Sequence, residues 1–241
     1  MSENPVLSVL APCYNESGNV EVLVERLDEV LGRGMSLDYE VVVVDDASSD
    51  DTYEIAKRIE ERNPKIVVVK HEVNKGISEG WATAVDAARG KYVLTIDADL
   101  QYRPEDIPAM WSEMERSGAD AVQGWRVSSP GGSAMRRLAS RSFSYMLYLL
   151  FDVKLKDVKS GFILYKREVL EDIIKDRVHF RYFQHFPTIA AAAGGYRIAE
   201  VPVVFDRRHA GESFIGNVFV FGLKAMADIP KALRLYGRGR R

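Results

Sequence analysis

Apolar residues in the first half of the chain come as short unbroken runs, separated by stretches where they recur every three or four positions. The runs "LSVLA" (7–11), "EVVVVD" (40–45), "KIVVVK" (65–70) and "KYVLTID" (91–97) are too short for helices and rich in Val and Ile, which predicts strands. They barely alternate with polar residues, so both faces of each strand are expected to be covered, as in a parallel sheet. Between them Val20, Leu23, Val24, Leu27, Val30 and Leu31 share a helical face. "DTYEIAKRIEER" (51–62) and "GWATAVDAAR" (80–89) keep the same period after residues suited to a helix start. Alternating strand and helix predicts an α/β fold, a doubly wound, mostly parallel sheet with helices on both faces.

The second half changes character. Strands are expected near 120–124, 162–166 and 198–205, and "HFPTIAAAAGG" (185–195) reads as a helix closed by glycine. Segments 134–151 and 214–236 each mix large apolar residues with Lys and Arg, which reads either as amphipathic interfacial helices or as core helices or a dimer face. No repeat or low-complexity linker interrupts the chain. The expected organisation is one domain over 1–212 and a basic amphipathic extension over 213–241.

Composition narrows the classes. The net charge of −2 gives no reason to expect a nucleic-acid partner, although from Lys224 onward six basic residues face the single acid Asp228. The lone Cys13 excludes an intrachain disulfide and fits a reducing compartment. The start "MSENPVLSVLAPC" lacks the charge pattern and apolar length of a secretory signal, and no run of about 18 apolar residues predicts a spanning helix.

Ligands of doubly wound sheets bind beyond the carboxyl ends of the strands. Asp45-Asp46 and Asp97-Ala98-Asp99 fall at two such ends. If the fourth strand persists, its period of two points Asp97 and Asp99 the same way, and two such charges repel unless a cation lies between them. After the first strand, Pro12 is expected to stop the sheet and leave Tyr14, Asn15 and Glu16 at its end. Tyr14 suits stacking on a flat ring, and Glu16 suits hydrogen bonds from a base or ribose. The same stretch also reads as a plain turn in which Asn15 or Ser17 caps the next helix. "VVDDASSDDT" is open in the same way, to a nucleobase contact or to capping by Ser49 and Asp50. Neither a Gly-x-Gly-x-x-Gly nor a P-loop occurs, which disfavours the usual dinucleotide fold.

"PCYNE", "VVDDASSDDT", "NKGISEGWATAV" and "IDADLQYRPED" follow one another in an order that resembles the family 2 glycosyltransferases of GT-A fold. The resemblance is strongest to the polyprenyl-phosphate subgroup of the dolichol-phosphate mannose synthase type, and it runs from about Leu7 to Phe214. It implies an inverting transfer of one sugar from a nucleotide-diphosphate sugar, with GDP-mannose or a UDP-sugar as donor, to a polyprenyl phosphate such as a dolichyl or undecaprenyl phosphate. It implies Mg²⁺ or Mn²⁺ as cofactor, held by Asp97, Asp99 and Gln101. Pro12, Tyr14, Glu16, Asp45, Asp46, Lys75 and Asp97 then line the nucleotide sugar. "GWR" (124–126) looks like the family's Gly-x-Arg, and "DVKSGFILYKREVL" (157–170) like the segment carrying an acid near the reaction centre. These matches make Arg126, Asp157 and Arg208 catalytic candidates, with Arg126, Arg137, Arg141 and Arg208 toward the acceptor phosphate. "AEVPVVFDRRHAGESF" (199–214) departs from the family pattern, because Phe214 stands where a phosphate-clamping lysine is usual.

A polyprenyl phosphate lives in a bilayer, so the resemblance also implies a peripheral enzyme at the cytoplasmic face of a membrane. The chain is expected to bind that surface itself, to rely on a membrane-anchoring partner, or to be truncated before spanning helices. Three other readings stay open on the sequence: a transferase with a saccharide acceptor, a catalytically silent nucleotide-sugar-binding subunit, and a metal-dependent phosphohydrolase.

Overall fold

The computed structural model describes residues 4–127, 142, 145–180, 182–210 and 227–237. Its strands are β1 (Leu7–Cys13), β2 (Tyr39–Asp45), β3 (Ile66–Lys70), β4 (Tyr92–Thr95), β5 (Ala121–Arg126), β6 (Ile163–Lys166) and β7 (Ile198–Val203). They form one sheet in the order β3-β2-β1-β4-β6-β5-β7. β6 runs antiparallel to both neighbours, and the other described pairings are parallel. The α-helices are α1 (Val20–Leu27), α2 (Thr52–Arg62), α3 (Ile77–Ala87), α4 (Ile107–Ser117), α5 (Arg167–Ile173), α6 (Pro187–Ala193) and α7 (Ile229–Tyr236).

The unbroken apolar runs have a direct cause. Leu7, Val9 and Ala11 of β1 pack with Leu23, Leu27 and Met110 on one face of the sheet. Leu10, Val42 and Val44 pack with Trp81, Ala84, Val85 and Ile189 on the other. With both faces covered, Val41 to Val44 are all fully buried, each contributing about 1.5–3 kcal/mol of transfer free energy.

The mostly parallel α/β expectation holds, with local corrections. Pro12 does not stop β1; it lies inside the strand, paired in register with Val44. The Leu10 carbonyl accepts from Ile96 N on the β4 side, so residue 12 faces that side too. There the ladder has ended at Leu10 opposite Thr95, and the missing Pro12 N–H costs no sheet hydrogen bond. β4 likewise stops at Thr95, so Asp97 and Asp99 do not project from a continuing strand. They sit in a tight turn in which Leu100 takes a left-handed φ of 60°. α3 begins at Ile77, earlier than its pattern indicated, because Gly76 at φ 86° turns the chain and its carbonyl accepts from the amides of Glu79 and Gly80. α1 continues into a π-helical stretch, Asp28–Gly34.

The two basic apolar segments are only partly within the described residues. Residues 145–151 are helical, with Leu147 and Phe151 in the core and Tyr145 and Leu149 exposed. Arg136, Arg137 and Arg141 lie outside the described residues, as do Phe214, Lys224 and Arg238. α7 belongs to the expected extension, yet it is packed onto the domain. Its Ala232 is fully buried, Tyr236 stacks on Phe180, and the Tyr236 hydroxyl donates to Asp176 at 2.6 Å. No helix among the described residues is long and apolar enough to cross a membrane.

Candidate active site

Three loops leave the carboxyl ends of β1, β2 and β4 and meet. Asn15, at φ 56°, donates its amide to Ser48 Oγ at 2.9 Å, while its Oδ1 accepts from Ser49 N at 2.8 Å. Glu16 N donates to Thr52 Oγ1 at 2.8 Å, so the first two loops are stapled together. Asp46 is committed inside the protein: its carboxylate accepts from Lys75 N at 2.8 Å and Gly76 N at 2.7 Å and meets His71 Nδ1 at 2.7 Å. It thereby shapes the turn that presents Lys75. Asp45 is fully buried, and its Oδ1 has no hydrogen-bond partner among the described residues. Pro12 is half-buried beneath Gly80, where a Cβ would come within 2.8 Å of the Pro12 Cβ, so α3 passes close over the start of this loop. Burial, followed by the charges of Glu16, Asp45 and Asp50, pushes the Cys13 thiol far up and removes it as a nucleophile.

The turn after β4 carries the carboxylates. Burial, then repulsion from Asp99, pushes the Asp97 carboxyl up to about 7 against the opposing pull of Arg126 and Arg208. Burial also raises Asp99, although Gln101 N donates to its Oδ1 at 3.0 Å. Arg208 reaches across with Nη2 3.0 Å from Asp99 Oδ2 and Nη1 2.7 Å from Glu16 Oε1. The other Glu16 oxygen accepts from Asn19 Nδ2. Both oxygens that sequence reasoning gave to a base or ribose therefore have partners inside the protein. Gln101 Nε2 donates to the Asp206 carbonyl at 3.2 Å, which leaves Oε1 as the group able to face a cation. Gly161 supports this pocket, since a Cβ there would lie 3.7 Å from Trp81 and 3.9 Å from both Asp97 oxygens.

Arg126, which also acts on Asp97, forms a two-pronged pair with Asp157, with Nη2 to Oδ1 at 2.8 Å and Nε to Oδ2. Gln123 Nε2 holds the Asp157 carbonyl at 2.8 Å. Burial alone raises the Asp157 carboxyl, but Arg126 outweighs it and holds the group below the usual carboxylate range. Asp157 is thus a poor proton acceptor and a good anchor for Arg126. Sequence reasoning missed Lys159 and His185. Burial, aided by Arg126 and opposed by Asp157, lowers the Lys159 ammonium to about 8. Burial, then Lys159, lowers His185 to about 4, so it is neutral at pH 7. The "DVKSG" stretch carried the lysine in plain view, two residues past Asp157, whereas nothing near residue 185 signalled proximity.

A seven-stranded mixed sheet with paired carboxylates beyond β4 is the GT-A architecture of glycosyltransferases. A mannosyltransferase from Pyrobaculum calidifontis, solved in complex with GDP-Man and Mn2+, superposes with a TM-score of 0.68 at 22% identity, covering 97% of this chain and 65% of that one. Glucosyl-3-phosphoglycerate synthase from Mycobacterium tuberculosis superposes at 0.65 with 20% identity, over 96% and 80%. The chain belongs to glycosyl transferase family 2, whose profile matches residues 8–174. Among curated relatives, the dolichol-phosphate mannosyltransferase of Pyrococcus furiosus is 32% identical over 89% of this chain and 60% of its own length. The dodecaprenyl-phosphate galacturonate synthase of Rhizobium johnstonii is 30% identical over 87% and 62%. The polyprenol monophosphomannose synthase of Mycolicibacterium smegmatis is 32% identical over 85% and 79%. The chain thus spans about three fifths of the length of the first two relatives.

The contrast between neighbouring arginines yields a first expected result. Arg208 is half-buried between two carboxylates and Arg207 is exposed. If Arg208 serves a phosphate in the transition state, Arg208→Ala should lower turnover by roughly tenfold or more, the cost of one lost charge contact. Arg207→Ala should stay close to wild type in the same steady-state assay. Equal and mild effects would return Arg208 to an ordinary surface charge.

Proposed function

We propose that this chain transfers one sugar, with inversion, from a nucleotide-diphosphate sugar to the phosphate of a polyprenyl phosphate. The observation that carries the reading is the unequal supply of cations and bases around Asp97. Arg126 and Arg208 act on Asp97 and Lys159 acts on the neighbouring Asp157, while Asp157 is tied to Arg126 and His185 is neutral and desolvated. A sugar hydroxyl needs a base to lose its proton, whereas a phosphate monoester is already largely dianionic at pH 7. Cations that orient it against the anomeric carbon suffice. The three curated relatives, all named for polyprenyl-phosphate products or substrates, support the same acceptor class.

Asp97 and Asp99 fit a divalent cation. No hydrogen-bond donor meets the Asp97 carboxylate among the described residues, and burial beside Asp99 disfavours its ionised form unless positive charge arrives. Among the described residues no three His, Cys, Asp or Glu side chains are arranged to hold a metal ion by themselves, so diphosphate oxygens and Gln101 Oε1 would complete an oxygen-only set suited to Mg²⁺ or Mn²⁺. Such an ion, when bound, offsets the charge that develops on the departing nucleotide diphosphate. Asp45, Lys75 and Tyr14 stand at the strand ends where the nucleotide would lie, and Arg126 would face the acceptor phosphate.

Incubation with a panel of GDP- and UDP-sugars, Mn²⁺ and a short polyprenyl phosphate tests the reading. Formation of a polyprenyl-phosphate sugar is the expected result. Transfer to free saccharides with none to the lipid phosphate would overturn it.

We also place the protein peripherally at the cytoplasmic face of a membrane. Lys231, Leu233 and Arg234 of α7 and Tyr145 and Leu149 are exposed. Each cation near an anionic surface contributes about 1 kcal/mol. Deleting the whole terminus would also strip packed residues such as Ala232, so point changes are the cleaner test. Lys231→Gln with Arg234→Gln should weaken sedimentation with anionic liposomes by roughly thirtyfold, and high salt should act in the same direction. Indifference of the wild type to such liposomes at low salt would count against direct membrane contact and favour an anchoring partner.

A further inference from the structure

We propose that Arg208 is the internal counter-cation of the Asp97–Asp99 turn, so that a divalent ion binds well only together with a nucleotide diphosphate. The proposal rests on the reading of that turn as a metal site. Both Asp99 oxygens are already engaged, Oδ2 by Arg208 Nη2 at 3.0 Å and Oδ1 by Gln101 N at 3.0 Å. An ion arriving alone has to share Asp99 with a fixed positive charge, and like charges at that range repel.

Arg208 is held there by more than one contact. Glu16 Oε1 grips Nη1 at 2.7 Å, and Asn19 holds the other Glu16 oxygen while donating to the Ala210 carbonyl at 3.1 Å. A Cβ on Gly18 would come within 3.0 Å of Ala210 Cβ, so the loop after β1 and the segment carrying Arg208 are in close contact. His209 N to Asp99 O and Asp206 N to Gln101 O tie the same segment to the carboxylate turn. The backbone around Arg208 is therefore fixed at both sides, and only its side chain is left to rotate. At 22% exposure the guanidinium borders solvent.

What would draw it off Asp99 is an anion that offers a fork-shaped acceptor, and a diphosphate does so. Arg126 cannot take that part without abandoning Asp157. Nucleotide diphosphate and metal should therefore raise each other's affinity by the same factor, as linkage requires. In this scheme Glu16 and Asn19 are positioning residues, acting through Arg208 rather than on the substrate.

The test is calorimetric Mn²⁺ binding to the full chain, with and without GDP or UDP, corrected for Mn²⁺ held by the nucleotide in solution. For wild type, nucleotide should tighten Mn²⁺ roughly tenfold or more. Arg208→Gln should bind Mn²⁺ alone roughly tenfold tighter than wild type, and its nucleotide enhancement should shrink correspondingly. Arg208→Lys, which keeps the charge, should retain the weak nucleotide-free binding, with thermal melts confirming that both variants fold. Unchanged or weaker Mn²⁺ binding by folded Arg208→Gln overturns the proposal and leaves the metal reading standing. Wild-type Mn²⁺ affinity that ignores nucleotide overturns it without any variant. No Mn²⁺ uptake by wild type, even with nucleotide, overturns both.

Discussion

Asp99→Asn should cut sugar transfer roughly a thousandfold, about 4 kcal/mol of transition-state stabilisation, while leaving the melting temperature equal or slightly raised. The two effects have opposite signs for one reason. In the protein without donor, Asp99 is buried and Asp97 half-buried, the two carboxylates repel each other, and desolvation raises both. Removing one charge relieves that repulsion, and Arg208 keeps Glu16 as a partner at 2.7 Å. The amide oxygen of the variant side chain can still accept from Gln101 N, so the turn keeps its shape. Only a function that requires the charge suffers. Turnover at saturating Mn²⁺ together with a thermal melt decides the matter, and a variant that is active, or inactive because it is unfolded, sinks the assignment.

The same pair illustrates what the sequence discloses. The strands were legible because a sheet covered on both faces demands consecutive apolar residues, and Val41–Val44 obey that demand. Helix α4 (Ile107–Ser117) went unread although Ile107, Met110 and Met114 are buried at helical spacing and Gly118 closes it at φ 60°. Pro104 in the turn just before it and Pro108 in its first turn disguised a helix start as a loop. The antiparallel insertion of β6 was not legible at all, because direction depends on how the chain returns from residues far along it, and a four-residue strand reads alike in both senses.

Among candidate site residues, Asp45, Asp46, Asp97 and Asp99 were singled out by local pattern, as carboxylates at or just beyond strand ends. Their partners were not, since Glu16–Arg208 and Asp46–Gly76 join positions far apart in the chain. Pro12 was misjudged for a physical reason. A proline breaks a ladder only on the side its nitrogen faces, and β4 no longer pairs there.

Arg126 and Asp157 provide the second large effect, and it falls on stability as well as turnover. Their side chains are 26% and 12% exposed, so neither charge is well hydrated once the other is gone. Asp157→Ala should cost about 3 kcal/mol of folding stability, the usual result of stranding one member of a buried pair. Arg126→Met should cost a similar amount, and the double variant should be more stable than the sum of the singles implies. Acid dependence follows from the direction of the Asp157 shift. Its carboxyl is held below its ordinary value in the folded protein, so the pair contributes fully above the unfolded pKa of about 3.9. That contribution is lost as pH falls through the lower folded value, because the proton then binds the unfolded chain first. Urea titrations at pH 7 and near pH 3 should therefore show wild type and Asp157→Ala well separated at the first and drawn together at the second. A gap that persists unchanged at low pH would mean that Asp157 acts through packing, and its link to Arg126 would lose its electrostatic basis.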